Sequence, residues 1–397
     1  MIQFDFSEDC CGCTSCANVC PSQAISMQPD QEGFLIPVVN LSKCIGCGKC
    51  DKACPYLNIG IHTSEPTVHD FEKSKVFLYY SKEDRRKYSA SGGFVHDVYM
   101  KLLSKGGIVC GCIWDEDIEA IHVISDSEES VKKMQSSKYV QSNLLNCYTE
   151  IHTALKMNKK VVFCGTPCQT AGLRQFLRKS NTENLISICL FCHGVPSPAV
   201  WGRYKRNIER KYHGKIVDVN MRDKYRKGYK TSYARYVLNT KSGIHNVEMA
   251  TYLEDPYIFL FTDDLYLRKS CYHCTYKGNN SQADLLVGDF HTSVPEAGKW
   301  GCSCVVSLTP KGDCIVEQMD GISIKSDIYT VGHVNSVLWK SATMNLKRQE
   351  FFDNMKQRED GDMSLFNDFL PLRFQVKKLL NKMGLFYLIR NLIKWKL

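Results

Sequence analysis

Two cysteine runs near the N-terminus carry the plainest chemistry in the chain. They are Cys10-x2-Cys13-x2-Cys16-x3-Cys20-Pro21 and Cys44-x2-Cys47-x2-Cys50-x3-Cys54-Pro55. A cubane [4Fe-4S] cluster takes one thiolate per iron. Three cysteines at two-residue gaps wrap one corner of the cubane, and the fourth cysteine of each run serves the other cluster. The expected sets are Cys10, Cys13, Cys16 and Cys54 for one cluster, and Cys44, Cys47, Cys50 and Cys20 for the other. Zinc sites come as two separated pairs rather than triples, so zinc does not fit these runs. Cys11 falls inside the first run and has no role in it.

A two-cluster ferredoxin needs little more chain than this, yet 342 residues follow Pro55. Hydrophobic residues make up 44% of the whole, an ordinary content for packed cores. The net charge is +9 and no long Lys/Arg run occurs, so nucleic acid is not an expected partner. Of 21 cysteines, eight belong to the two runs. The start, MIQFDFSEDC, lacks the apolar stretch of a secretory leader. No window approaches the roughly 18 apolar residues of a membrane span. The expectation is a cytoplasmic protein whose thiols bind metal instead of forming disulfides.

The elements that must position further chemistry follow from periodicity. Residues 1–58 form the ferredoxin module, and 59–73 are polar and aperiodic, as in a linker. Lys75–Tyr80, 107–114, 120–125, Val161–Cys164, Ile186–Leu190, 284–290 and 303–308 read as strands. Helices are expected after Ser89–Phe94, over 143–157 and from Cys168 to Leu177. Strands alternating with helices argue for an α/β layer, and 215–250 reads as antiparallel strands. Beyond about 331 the chain reads as mostly helical.

Several stretches of the larger part could bind a cofactor. Ser91-Gly92-Gly93 precedes a helix, where a serine cap and open backbone N–H groups suit a phosphate; an ordinary turn is the plainer alternative. Gly165-Thr166-Pro167 sits between a strand and a helix, where α/β folds bind ligands. Gln135–Ser142 gathers a lysine, a tyrosine and hydroxyls, or is simply a loop. Cys271-x2-Cys274 has metal-ligand spacing, and Cys168 and Cys192 each follow a strand. Together they offer four thiolates for a third cluster. Zinc on the same four, or ligation by Cys164, Cys189, Cys302 and Cys304 instead, are the alternatives that spacing leaves open. Arg222, Lys224, Arg226, Lys227 and Lys230 could hold an anion or form a solvated loop.

SASGGF, QSSKYVQS, GTPCQTAGLRQFL, CHGVPSP, RKSCYHC and ADLLVGDF occur in this order. Over residues 74 to 310 the set resembles the beta subunit of coenzyme F420-reducing hydrogenase and F420H2 dehydrogenase. Plant 7-hydroxymethyl chlorophyll a reductase is similar to the same core, and stand-alone members include ones found beside bacterial polysaccharide genes. The resemblance implies an iron–sulfur flavoprotein with FAD beside a [4Fe-4S] cluster. It implies Cys168, Cys192, Cys271 and Cys274 as ligands of that cluster. It implies Ser89, Ser91, Gly92, Gly93, Ser137, Lys138, Tyr139 and Thr166 as flavin contacts. The family often follows Gly-Asp-Phe with Trp-Gly, whereas Asp289-Phe290 is followed by His291-Thr292. That departure leaves the substrate open.

The fold class expected is α+β. A bacterial-type ferredoxin fold (1–58) and linker (59–73) precede an α/β flavin-binding domain with a mixed sheet (74–330) and a helical C-terminal region (331–397). The function expected is an oxidoreductase passing electrons between [4Fe-4S] clusters and a hydride-type substrate through FAD, with a role in polysaccharide biosynthesis suggested by the gene-neighbour resemblance alone. The alternative is an electron carrier that feeds a partner enzyme and has no substrate of its own. Partners would be a redox protein or a small hydride donor or acceptor. The tail 373–397 is basic and amphipathic with Trp395, so it either packs on the core or lies on an anionic membrane, with Gly384 breaking its helix.

Overall fold

A computed structural model describes residues 8–58, 71–225, 227–292, 294–387 and 389. The linker residues 59–70, Arg226, and Arg390 to the C-terminus, including Trp395, lie outside the described residues.

The N-terminal module shows the sequence repeat in its backbone. Gly12 and Gly46 occupy matching places in the two runs and share left-handed φ values of 65° and 67°. Thr14 (φ 60°) and Gly48 (φ 64°) match in the same way and lead into the short helices Ser15–Asn18 and Lys49–Ala53. Threonine rarely adopts this conformation, so Thr14 is held by its surroundings. Strands β1 (Ile25–Pro29) and β2 (Leu35–Val39) pair antiparallel between the runs.

The large part is built on an eight-stranded mixed sheet. Its strands are β3 (Lys75–Tyr80), β4 (Ile108–Trp114), β5 (Ala120–Ser125), β6 (Val161–Gly165), β7 (Leu185–Leu190), β11 (Leu285–Asp289), β12 (Ser303–Ser307) and β13 (Ile322–Ser326). The order across the sheet is β13-β3-β12-β11-β7-β6-β4-β5. The four middle strands β11, β7, β6 and β4 run parallel, and the pairs outside them are antiparallel. β6 and β12 are buried along their whole length, as continuous apolar strands between covered faces must be. Helices Phe94–Leu103 and Pro167–Phe176 connect toward or out of this sheet at its functional edge.

Residues 214–250 form a separate antiparallel meander of β8 (Gly214–Asp223), β9 (Tyr233–Thr240) and β10 (Gly243–Ala250). Its inner face packs on helix Pro198–Tyr212 through Trp201, Tyr204, Tyr236, Tyr257 and Tyr266. Phe351, Phe352 and Phe366 from the C-terminal helices enter this same core. The expected boundary at 330 therefore does not separate two cores.

Helix Leu372–Lys382 ends before Gly384, whose φ of 72° stops it as its sequence suggests. Phe374 and Phe386 are buried, whereas Leu372, Val376, Leu379 and Met383 are exposed. Packing on the core therefore takes up part of the apolar stripe. No helix among the described residues is long and apolar enough to cross a membrane.

Candidate electron-transfer site

Cys10, Cys13, Cys16 and Cys54, with Cys11, Gly12, Thr14 and Tyr56, line one small pocket. This is the first expected quartet. Burial pushes the Cys16 and Cys54 thiols up, and their neighbours in the quartet add to the effect. Thiols that would repel one another as anions suit a cluster whose iron compensates their charge. In the second expected quartet Cys47 is exposed and Cys20, Cys44 and Cys50 are half-buried. Partial burial raises the Cys20 thiol, but the backbone N–H groups of Ala24, Ser22 and Ile25 and the Ser22 hydroxyl outweigh it and pull it down.

Cys168, Cys192, Cys271 and Cys274 come together at the carboxyl end of the parallel strands. Cys168 opens the helix after β6, Cys192 follows β7, and Cys271 lies in the turn Lys269–His273 with Cys274 just past it. Burial raises all but the Cys168 thiol first; for Cys168 the hydrogen bond with Cys11 comes first and burial second. Cys271 rises to about 12 and Cys274 to about 11, with Cys168 adding to both. Cys164, Cys189 and Cys304, within strands, and Cys302, just before β12, are the alternative ligands; all four are buried in the apolar cores. Among the described residues no three Cys, His, Asp or Glu side chains are drawn tightly enough to hold a single metal ion. A cubane asks for a wider set, one thiolate to each of four irons.

The expected flavin contacts divide. Ser89 accepts a hydrogen bond from Gln135 Nε2 at 3.3 Å, which joins the 89–93 and 135–142 loops. The Lys138 amine donates to the Gln135 carbonyl at 3.0 Å, and burial lowers its pKa. Tyr139 Oη lies 3.2 Å from Arg222 Nη1, which also reaches Asp289 Oδ2 at 2.5 Å. Ser91 and Gly92 are otherwise engaged. The Ser91 hydroxyl meets Ser303 Oγ at 3.0 Å, and the Gly92 N–H donates to the same oxygen at 3.0 Å. A Cβ on Gly92 would lie 2.1 Å from the Tyr79 carbonyl and 2.4 Å from the Ser303 nitrogen. Gly92 thus permits close packing of the loop on β3 and β12. The helix cap is Gly93, at φ 86°, and no serine cap is made there. Thr166 caps its own helix in a reciprocal box with Gln169, and its hydroxyl lies 3.2 Å from Cys168 Sγ.

The basic loop divides as well. Lys227 and Lys230 are exposed. Arg222 and Lys224 are buried, so the solvated-loop alternative fails for these two. Lys224 Nζ donates to the Ser91 carbonyl at 2.5 Å and to the Trp300 carbonyl. Burial, and then Arg222, push its pKa down to about 7. Arg86 acts on Lys224 too, so Lys224 lies among Arg86, Arg222 and Asp289, with Arg222 paired to Asp289. The Nε–H groups of Arg86 and Arg222 are buried with no hydrogen-bond partner among the described residues. That surplus of charge and open donors fits an anionic group. The Phe191 ring lies against Gly288, where a Cβ would meet it at 2.1 Å. The Cys192 loop is therefore pressed against the strand that ends in Asp289. His291 is exposed and its Nδ1 lies 2.9 Å from Tyr229 Oη.

A buried network joins the module to this edge. Arg268 donates to the Cys10 carbonyl (2.5 Å), the Leu35 carbonyl (3.0 Å) and Gln141 Oε1 (2.9 Å), and Gln141 Nε2 donates to the Cys11 carbonyl at 3.2 Å. Arg348 clasps both carboxylate oxygens of Glu32 at 2.8 and 2.5 Å. Sequence reasoning missed Arg268 and Tyr276, although both flank the Cys271-x2-Cys274 pair.

These features define an iron–sulfur electron-transfer protein. Residues 9–58 match the 4Fe-4S dicluster domain, which implies two [4Fe-4S] clusters. Residues 158–327 match the C terminus of the beta subunit in coenzyme F420 hydrogenase/dehydrogenase. The chain thus combines a 4Fe-4S dicluster domain with the C-terminal domain of the coenzyme F420 hydrogenase/dehydrogenase beta subunit. Among solved structures it is similar to a chain of the F420-reducing [NiFe] hydrogenase complex from Methanosarcina barkeri, in a xenon derivative. Identity is 16%, the TM-score is 0.43, and the match covers 76% of this chain and 97% of that one. No curated protein matches.

Proposed function

We propose that the chain is an oxidoreductase that moves electrons between its clusters and a hydride-type substrate through a flavin. The observation that carries this is the meeting of two unlike sites at one sheet edge. Four thiols, Cys168, Cys192, Cys271 and Cys274, stand beside a buried cationic site around Arg222, Lys224 and Asp289, joined through the Phe191–Gly288 contact. In this reading the four cysteines ligate a third [4Fe-4S] cluster. The first and second quartets ligate the other two.

FAD, when bound, exchanges two electrons as hydride with a substrate and single electrons with clusters. Arg86, Arg222 and Lys224 would hold its anionic part, with Lys138, Tyr139, Ser137 and the Ser89–Gly93 loop bordering the site. Thr166 orients the Cys168 thiol. Lys224 exchanges a proton near neutral pH, so anion binding there is accompanied by proton uptake. A partner redox protein would meet the module's outer side, where Cys47 is exposed. Nothing in the site bears on polysaccharides.

Anaerobic purification with iron, sulfide and flavin analysis tests this. About twelve iron atoms per chain, four for each cubane, are expected with bound flavin. Cys271→Ala should lose one cluster's iron and leave the other two clusters intact. About eight irons and no flavin in the wild-type protein would reject the reading and leave a two-cluster carrier.

A further inference from the structure

The junction between the module and the large sheet holds polar groups that neither packing nor ligation explains. Tyr276 packs against Cys11, Cys13 and Ala171, with Cys168 and Cys274 at the edge of the same cluster. Its hydroxyl is buried and has no hydrogen-bond partner among the described residues. After burial, the largest influences on that hydroxyl are Cys11, Cys13, Cys168 and Cys54. It therefore sits among thiols of the first and third quartets. Cys11 spans the same gap, with its thiol against those of Cys13 and Cys168. Gly172 permits the approach, because its missing Cβ would stand 2.9 Å from Cys13 Sγ. Arg268, 3% exposed, holds the Cys10 carbonyl, and its charge reaches Cys168 and Cys271.

We propose that Tyr276 and Arg268 form the electron crossing between the N-terminal module and the third cluster, the Tyr276 hydroxyl donating a hydrogen bond to a sulfur at the junction and Arg268 supplying a fixed positive charge. A buried phenol needs an acceptor, and the groups around this one are sulfurs. Hydrogen bonds to sulfur and nearby positive charge both favour the reduced, more negative cluster. One electron crosses, no bond forms or breaks, and Arg268 stays protonated throughout. The order of cofactors follows: the Cys10/Cys13/Cys16/Cys54 cluster is the inner one, and the cluster of Cys20, Cys44, Cys47 and Cys50 is the outer terminal, beside exposed Leu41 and Ile45. The inference rests on the third cluster proposed above.

Tyr276→Phe keeps the ring and removes only the donor. Anaerobic redox titration with paramagnetic-resonance detection would compare it with the wild-type protein, using Cys271→Ala to assign the third cluster's signal. Full iron content is expected, with a lower midpoint potential for the first or third cluster and no change for the outer one. Arg268→Gln should lower both inner potentials, and Arg268→Lys should restore them in part. Unchanged potentials in iron-replete Tyr276→Phe, or a shift confined to the outer cluster, would overturn the proposal. Should wild-type protein carry only two clusters, the third-cluster reading fails by itself. Tyr276→Phe must then still lower the first cluster's potential, and no shift would overturn the junction as well.

Discussion

Two helical glycines provide a sharp test of how the module is seated. Gly172 lies in helix Pro167–Phe176 and Gly202 in helix Pro198–Tyr212. Replacing a helical glycine by alanine gains about 1 kcal/mol from backbone entropy when space allows. At Gly202 the new methyl meets only Arg206 Nη1 at 3.2 Å, the far end of a flexible side chain. Gly202→Ala should therefore stabilise by about 0.5–1 kcal/mol. At Gly172 the methyl meets Cys13 Cβ and Sγ at 2.9 Å and Tyr148 Oη at 3.0 Å. Cys13 cannot retreat cheaply, since Arg268 and Gln141 hold the carbonyls of Cys10 and Cys11. Overpacking of this kind costs about 1–3 kcal/mol, which outweighs the propensity gain. A net loss of up to about 2 kcal/mol is expected, a fall of up to roughly 2 °C in thermal midpoint. Anaerobic thermal unfolding of both variants, with iron analysis, measures it. Equal responses at the two positions would refute the claim that close approach of Cys13 is what Gly172 serves.

Two pH effects are expected. Lys224 loses its proton near pH 7 in the folded chain but keeps it to about 10.5 when unfolded. Between those values the unfolded state binds more protons, so wild-type stability should rise relative to Lys224→Met by ~1.4 kcal/mol per pH unit. A difference in unfolding midpoint that stays flat from pH 6.5 to 9 would reject this. For Asp97, burial raises the carboxyl, but hydrogen bonds from His96, Ser81, Tyr79 and Arg85 outweigh it and pull the pKa to about 2. Its contribution, ~2 kcal/mol by the size of the shift, is present above about pH 4 and lost as pH falls through 2. Asp97→Asn should remove that acid-sensitive component, measured as urea midpoints at pH 3 and 7.

Local signals were legible and distant ones were not. The cysteine runs announce themselves because ligands of one cubane lie two residues apart, and the strands 161–165 and 285–289 because buried parallel strands are uninterrupted apolar segments. Arg222 and Lys224 misled because charged residues in a basic stretch usually face water; burial comes from β8 and the 295–300 turn folding over them. The Ser91–Ser303 contact was not legible because the two residues lie 212 positions apart. Arg268 and Tyr276 had a faint signal, their places flanking Cys271 and Cys274. Their meaning depended on residues 10–13 docking against them, which no local pattern contains. Helix Pro198–Tyr212 was missed although Ser197-Pro198 is a strong start; Ser197 Oγ accepts from the backbone N–H of Ala199 and Val200.

The position of β3 has a consequence for how the protein is made. It is the first strand of the large sheet to be synthesised, yet its hydrogen-bonded neighbours are β12 and β13, more than 220 residues later in the chain. The parallel strands between can form earlier, but the sheet stays open on one side until nearly the last strand leaves the ribosome. The seat for the first cysteine run is also late, since Arg268, Tyr276 and Arg348 follow it by about 250 residues or more. The dicluster module therefore emerges long before its docking surface exists. Its thiols wait in solvent for that interval, exposed to oxygen and to stray metals. Cluster delivery during synthesis, or a protective partner, would be most valuable in that window, and growth without oxygen should raise the yield of fully loaded protein.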